Sequence, residues 1–256
     1  MTADPTLLGL AASGVLILVA VGLSLFQHLG LHRSILWAAV RALVQLLAIG
    51  VVLGLLLRDS TPIIWSWLWV TVMVAFAAWT TAQRAPEVPG VLVLSLLAYG
   101  ASTLVSLGVL FGLQVFPLEP RTLVPLAGMV VGNSLAATIL VGRRVVEGLD
   151  ARRDEVEARL ALGLPSSDAA APVVRDAVRT ALIPQVETTK AVGIVFLPGA
   201  MVGLILAGAD PAAAVKVQVA VMYLVLGSVA TTTAVVALGV RRRAFTADHR
   251  LVLRKP

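Results

Sequence analysis

Few side chains in this sequence have chemistry to offer, and those few sit in apolar surroundings. Gln45, Asn133, Ser134 and Gln218 interrupt long apolar runs, where an amide or hydroxyl without a partner is costly. Each must bond a neighbouring helix or line water-filled space, and both readings stand open for each residue. Pro198-Gly199 breaks another apolar run. The backbone groups freed there need protein or water, as at the gates of transporters. Arg41 shares a face with Gln45 four residues on and reads as a side chain snorkelling to the interface.

The absences are as informative. No Asp, Glu or His stands at the centre of an apolar run, so neither a carboxylate metal cage nor a titrating proton relay is visible. There is no cysteine, and thioethers such as Met129, Met201 and Met222 are soft, weak ligands that read as core. No metal ligand is therefore assigned. A Gly-x-x-x-x-Gly-Lys-Ser/Thr loop is missing, so the chain has no P-loop ATPase site of its own and needs no cofactor. No paired carboxylates or Ser-His-Asp set suggests an enzyme, and no catalytic residue is named.

The elements that carry these residues are transmembrane helices. The chain has 256 residues, is 59% hydrophobic and only 13% charged, too little charge to cover a soluble core. About twenty apolar residues cross a bilayer, and seven spans are expected: Leu7–Phe26, Ile35–Leu57, Ile63–Thr80, Val91–Val115, Leu123–Val141, Val192–Ala207 and a stretch within Ala212–Val240. The fourth has a candidate interruption near Gly100, and the sixth is short enough to be re-entrant. Trp65, Trp67 and Trp69 mark an outer interface. Glycine pairs at Gly50/Gly54, Gly108/Gly112, Gly128/Gly132 and Gly199/Gly203 are weak helix-packing signals.

Orientation follows from the basic residues. With the N-terminus outside and the C-terminus in the cytoplasm, 17 of the 20 Lys and Arg residues fall inside, leaving Arg58, Arg121 and Lys216 outside. That asymmetry fixes the topology by the positive-inside rule and accounts for the net charge of +6 without nucleic acid; the expected location is the plasma membrane. The N-terminus, Met1 to Pro5, lacks the basic region of a signal peptide, so the first span is expected to be retained.

One segment departs from this apolar plan. Arg143 to Lys190 holds 16 of the 34 charged residues and reads as a cytoplasmic loop within a single transmembrane domain of residues 1–256. Val145, Leu149, Val156 and Leu160 form a helical stripe across Arg143–Leu162, closed by Gly163 and Pro165. A second helix, about Asp168–Leu182, should stop at Pro184. Such a hairpin is either a solvated face or a docking surface.

Glu157-Ala158-Arg159-Leu160-Ala161-Leu162-Gly163 resembles the Glu-Ala-Ala-x-x-x-Gly loop through which ABC-transporter permeases engage their ATPase subunits. A longer block agrees with it. Gly128-Met129-Val130-Val131-Gly132-Asn133-Ser134-Leu135, Ala181-Leu182-Ile183-Pro184, Lys190 to Gly193, Leu197-Pro198-Gly199-Ala200-Met201-Val202-Gly203, Ala207 to Pro211 and Gln218 follow in an order similar to the FetB-type permeases. These are membrane subunits of iron- or metal-resistance ABC exporters, related to plant aluminium-sensitivity permeases. Val202 stands where the family often has threonine, so one hydroxyl is missing there.

The resemblance implies an all-α polytopic permease, working as a homodimer with a separate ABC-type ATPase that binds the ATP and exporting an iron-like metal ion or its complex. Glu157, Ala158, Leu160 and Gly163, with Arg152 and Arg153 nearby, become ATPase-coupling residues. Gln45, Asn133, Ser134, Pro198, Gly199, Met201 and Gln218 become pathway or gate residues. The rival classes are a nucleotide-independent channel or carrier, and a membrane scaffold that recruits a soluble partner.

Overall fold

The chain folds into ten helices among the residues that the computed structural model describes, 7–58, 61–246 and 248–252. In order they are α1 (Leu7–Phe26), α2 (His32–Leu56), α3 (Ile63–Arg84), α4 (Val91–Gly112), α5 (Pro120–Ala151), α6 (Arg153–Ala161), α7 (Ser166–Ala169), α8 (Ala171–Ala191), α9 (Gly199–Leu206) and α10 (Pro211–Ala244). The expectations for Met1 to Pro5 and for the basic Arg254 and Lys255 lie outside the described residues. Two units separate, one of residues up to Pro62 with Gly203–Ala209, the other of Ile63–Val202 and the chain from Asp210 on.

In the first unit α1 and α2 form a helical hairpin. Its turn reverses through left-handed His28 and Gly30 and is held by the buried Ser24 hydroxyl, which accepts from the Leu31 N–H (3.1 Å). Only Leu56 of α2 is buried. Apart from Arg41 and Gln45, its surface between Ile35 and Leu56 is apolar, as a helix made for lipid or for a protein partner requires.

The second unit is a bundle of α3, α4, α5 and α10, with α8 laid against α5 and α10. Local chemistry sets its helix starts. Glu119 and Thr122 form a capping box before Pro120, and the Asp210 carboxylate accepts from the Ala213 N–H (3.0 Å) ahead of Pro211. α5 has 32 residues and α10 has 34, about 50 Å each at about 1.5 Å per residue. Both outrun a hydrocarbon core of about 30 Å and so project beyond it.

One end of this bundle is tied by arginines. Arg143 on α5 binds Glu87 (2.7 Å) and donates to the Arg84 carbonyl (2.6 Å), joining the end of α3. Arg243 on α10 donates to the Gly90 carbonyl (2.7 Å) at the start of α4. Beyond this basic end, Val141, Val145, Leu149 and Val156 pack with Val173, Val174, Ala177, Val236 and Val240 in one apolar cluster. A second cluster, around Leu107, Leu123, Val130 and Val229, fills the other half.

Four spans closely follow their expected bounds, but others differ. α4 runs unbroken past Gly100. The segment 192–207 is not one span: residues 192–198 are non-helical and α9 has eight residues, about 12 Å. Five helices (α2, α3, α4, α5 and α10) are long and apolar enough to cross a membrane among the described residues. The apolar α1, with 20 residues, reaches a similar length, so six of the seven expected spans have a long apolar helix among the described residues and the segment 192–207 does not.

The charged segment also differs in detail. Arg143–Leu162 is two helices, because the chain leaves helical geometry at Arg152 (φ −111°, ψ 30°). Pro184 does not stop the next helix; α8 passes through it to Ala191. None of the glycine pairs is the tight contact of the bundle. A Cβ on Gly148 would lie 2.7 Å from Val173 Cγ1, and one on Gly239 would strike the Leu94 side chain.

Candidate functional site

Two sets of residues meet the requirements of a site, and both include residues of α5. The first is the charged assembly at the basic end. The expected stripe exists: Val145, Leu149 and Val156 are buried and Leu160 packs beside them. The polar faces around it are braced by ion pairs. Arg152, at the break between α5 and α6, binds Asp176 of α8 (3.0 Å). Arg153 lies near Asp150 (3.9 Å) and Glu157 (4.0 Å), and Arg159 binds Glu155 (2.7 Å).

Glu157 and Ala158 face solvent, and Gly163 closes α6 in a left-handed conformation (φ +87°). Its N–H bonds the Leu160 carbonyl (2.9 Å) while the Leu164 N–H bonds that of Arg159 (3.2 Å). This double bond pattern stops the helix and turns the chain outward. Leu162 is left 83% exposed and Leu164 41%. The sequence reading gave neither a site role, although an apolar pair beside a helix-ending glycine in a charged loop was the signal for an anchor.

Between α5 and α8 lies an open cleft of about 400 Å³ lined by Arg144, Glu147, Arg152, Asp176 and Thr180. Gly148 lets α8 come close there. The C-terminal segment reaches the same assembly: the Ser166 N–H donates to His249 Nδ1 (3.3 Å), and Phe245 pairs with Leu251 on either side of His249.

The second set is the polar residues within the apolar spans, and the structure divides them. Ser134 is buried in the bundle, donating to the Val130 carbonyl (2.7 Å) and to Ser228 Oγ (3.3 Å). Ser102 donates to the Ser228 carbonyl (3.1 Å), and the Thr81 and Tyr99 hydroxyls bond each other (2.8 Å). These hydroxyls join α3, α4, α5 and α10, an interhelical use that the sequence reading did not foresee for Ser102 or Ser228. Asn133, by contrast, is exposed, with its amide nitrogen on the Met129 carbonyl (2.8 Å). Gln218 is buried on α10, and its Oε1 has no hydrogen-bond partner among the described residues.

Gln45 is exposed on α2. Pro198 and Met201 are half-buried and Gly199 is exposed, with the break where it was expected, just before α9. The six of these residues in the second unit form no single cluster: Ser134 joins the hydroxyl seam, Gln218 lies near the far end of α10, and Asn133 faces outward.

Arg144 and Thr180 line one cleft at the basic end. Glu187 and Lys190 are seven and ten residues further along the same helix, about 10 and 15 Å at about 1.5 Å per residue. Leu182 already packs with the apolar cluster of Val130 and Leu123. Glu187 binds Lys190 (2.9 Å) near the end of α8, and both side chains are exposed.

Five long apolar helices and a ten-helix order without strands among the described residues define a multi-pass helical membrane protein. The chain belongs to UPF0014, described as an uncharacterised protein family, whose model matches residues 7–245. It is 31% identical over 246 residues to the "Probable iron export permease protein FetB" of Escherichia coli, covering 95% of this chain and 94% of that one. To the rice "UPF0014 membrane protein STAR2" it is 38% identical over 217 residues, 85% and 76% of the two chains. To "Protein ALUMINUM SENSITIVE 3" of Arabidopsis thaliana it is 35% identical over 218 residues, 85% and 80%. No solved structure matches the chain.

Proposed function

We propose that this chain is the membrane-spanning permease subunit of an ATP-driven ABC transporter that exports a metal ion or metal complex, with iron as the leading cargo. The observation that carries the reading is mechanical. α5 leaves the bundle as one continuous helix, and Arg152 at its end is ion-paired to α8 (3.0 Å). A push on α6 or on the Leu162–Leu164 turn is thereby transmitted to helices that continue into the apolar bundle. The relative named as an iron export permease, similar along nearly the whole chain, supports the cargo.

In this reading Glu157, Ala158 and Gly163 face an ATPase that binds and hydrolyses ATP, while Arg152 and Arg153 brace the surface from behind. ATP-driven closure of two ATPase subunits on two permease copies rocks α5 and α8 and alternates access to the path. The basic end lies in the cytoplasm of a plasma-membrane protein, as the positive-inside rule requires. The test is transport by the permease and its ATPase reconstituted in proteoliposomes with the ATPase outward. ATP-dependent accumulation of ferrous iron inside the vesicles is expected. Iron flux that proceeds at the same rate without ATP or the ATPase would instead make the chain a channel or carrier.

A further inference from the structure

Ala244, the last residue of α10, is buried in the apolar cluster that also holds Val156 of α6 and Ala169 of α7. Beyond it the chain turns back as a hook. The Thr246 N–H bonds the Arg250 carbonyl (2.9 Å), the His249 N–H bonds the Thr246 carbonyl (3.0 Å), and the Val252 N–H bonds the Ala244 carbonyl (2.8 Å). Thr246 Oγ1 accepts from the Arg250 N–H (3.1 Å). Phe245 and Leu251, paired across the hook, both pack against the same cluster. The hook is therefore a braced extension of a helix long and apolar enough to span the membrane. From it His249, left-handed at φ +57°, presents Nδ1 to the Ser166 N–H (3.3 Å) and to the Ser166 hydroxyl (3.0 Å). An N–H in the first turn of a helix has no partner within that helix. Pro165 precedes α7 and makes no side-chain cap, so the acceptor comes from His249, 83 residues along the chain.

We propose, resting on the transporter reading, that His249 is a positioning residue for ATPase docking, pinning the far end of the Leu162–Leu164 turn and tying it to α10. On the near side, the bond from the Leu164 N–H to the Arg159 carbonyl (3.2 Å) fixes how the turn leaves α6. On the far side, the bond from Ser166 to His249 fixes how it enters α7. Leu162 and Leu164, 83% and 41% exposed, stand between two held ends and keep one orientation before any partner arrives. Such preorganisation spares the partner the ordering of the turn. Without the His249 contact the turn samples other orientations, and apparent affinity falls by the fraction of time that the competent one is populated. The hook also gives the turn a connection to the bundle that does not pass through the Arg152–Asp176 pair.

Two variants of the full chain in lipid nanodiscs separate the tether from the fold. His249→Gly keeps the left-handed turn and removes the ring. His249→Asn keeps both, because asparagine tolerates that conformation and offers Oδ1 in the place of Nδ1. In the permease alone, amide exchange at Ser166 should quicken by about two- to tenfold in His249→Gly, the worth of one neutral hydrogen bond. It should stay near wild type in His249→Asn, and all three proteins should unfold at similar temperatures. The concentration of the candidate ATPase needed for half-maximal binding should rise by about the same two- to tenfold factor in His249→Gly and not in His249→Asn. Ser166 exchange unchanged in His249→Gly overturns the tether. Faster exchange with unchanged ATPase binding, or a loss that His249→Asn shares, overturns the positioning role. A wild-type permease that binds no ATPase overturns the transporter reading and the docking role with it, while the Ser166 exchange still reads the tether itself.

Discussion

Gly148 shows how one missing side chain sets the geometry of the charged assembly. A Cβ there would lie 2.7 Å from Val173 Cγ1, so Gly148→Val forces α5 and α8 apart. It should destabilise the protein by about 1–3 kcal/mol, read as a lower unfolding temperature in detergent. Ser228 presents a different case, since it links α5 and α10 by one hydroxyl contact with Ser134 (3.3 Å). Ser228→Ala should cost only about 0.6–2 kcal/mol, as interhelical hydrogen bonds in membranes do. Gln218 tests whether a buried amide is structural. Its Oε1 lacks a partner among the described residues, so Gln218→Leu should be neutral or slightly stabilising by about 1 kcal/mol. If stability holds while iron transport falls, the amide serves the path; a large loss of stability would mean that it holds the fold.

At the scale of elements, ion pairs on the docking assembly should matter more to coupling than to stability. Arg152 and Asp176 are 45% and 60% exposed, and pairs that solvent screens contribute about 0–1 kcal/mol. Arg152→Ala is therefore expected to leave the unfolding temperature nearly unchanged while lowering permease-stimulated ATP turnover, because α6 loses its tie to α8. Much of this element plan was legible in the sequence. Uninterrupted apolar runs gave the long spans, and Val145, Leu149, Val156 and Leu160 disclosed the buried stripe through their spacing alone. Gly163 ended α6 for the stated reason, a left-handed residue that completes the cap. The break at Arg152 was invisible because nothing in its side chain forbids a helix; tertiary packing and the Asp176 pair decide it. Pro184 misled in the opposite direction. Proline removes one helical hydrogen bond but is tolerated where packing on both sides holds the helix, and α8 has Ala181 and Leu182 packed just before it.

At the scale of the whole molecule, the chain combines an apolar bundle with one charged assembly and lacks the P-loop that would drive it. The proposed transporter is completed by association, with ATPases at the basic end and a second permease copy in the membrane. Its central claim is that the face around Glu157 receives the ATPase. The direct measurement is co-purification of the candidate ATPase with wild-type and Glu157→Lys permease in lipid nanodiscs. Glu157 is exposed and its nearest cation, Arg153, is 4.0 Å away, so charge reversal should spare the fold and the monodisperse elution of the permease. The account predicts that the wild type retains the ATPase and that Glu157→Lys loses most of it. Equal retention by both proteins would contradict the placement of the docking face, and retention by neither would contradict the claim of an ATPase partner.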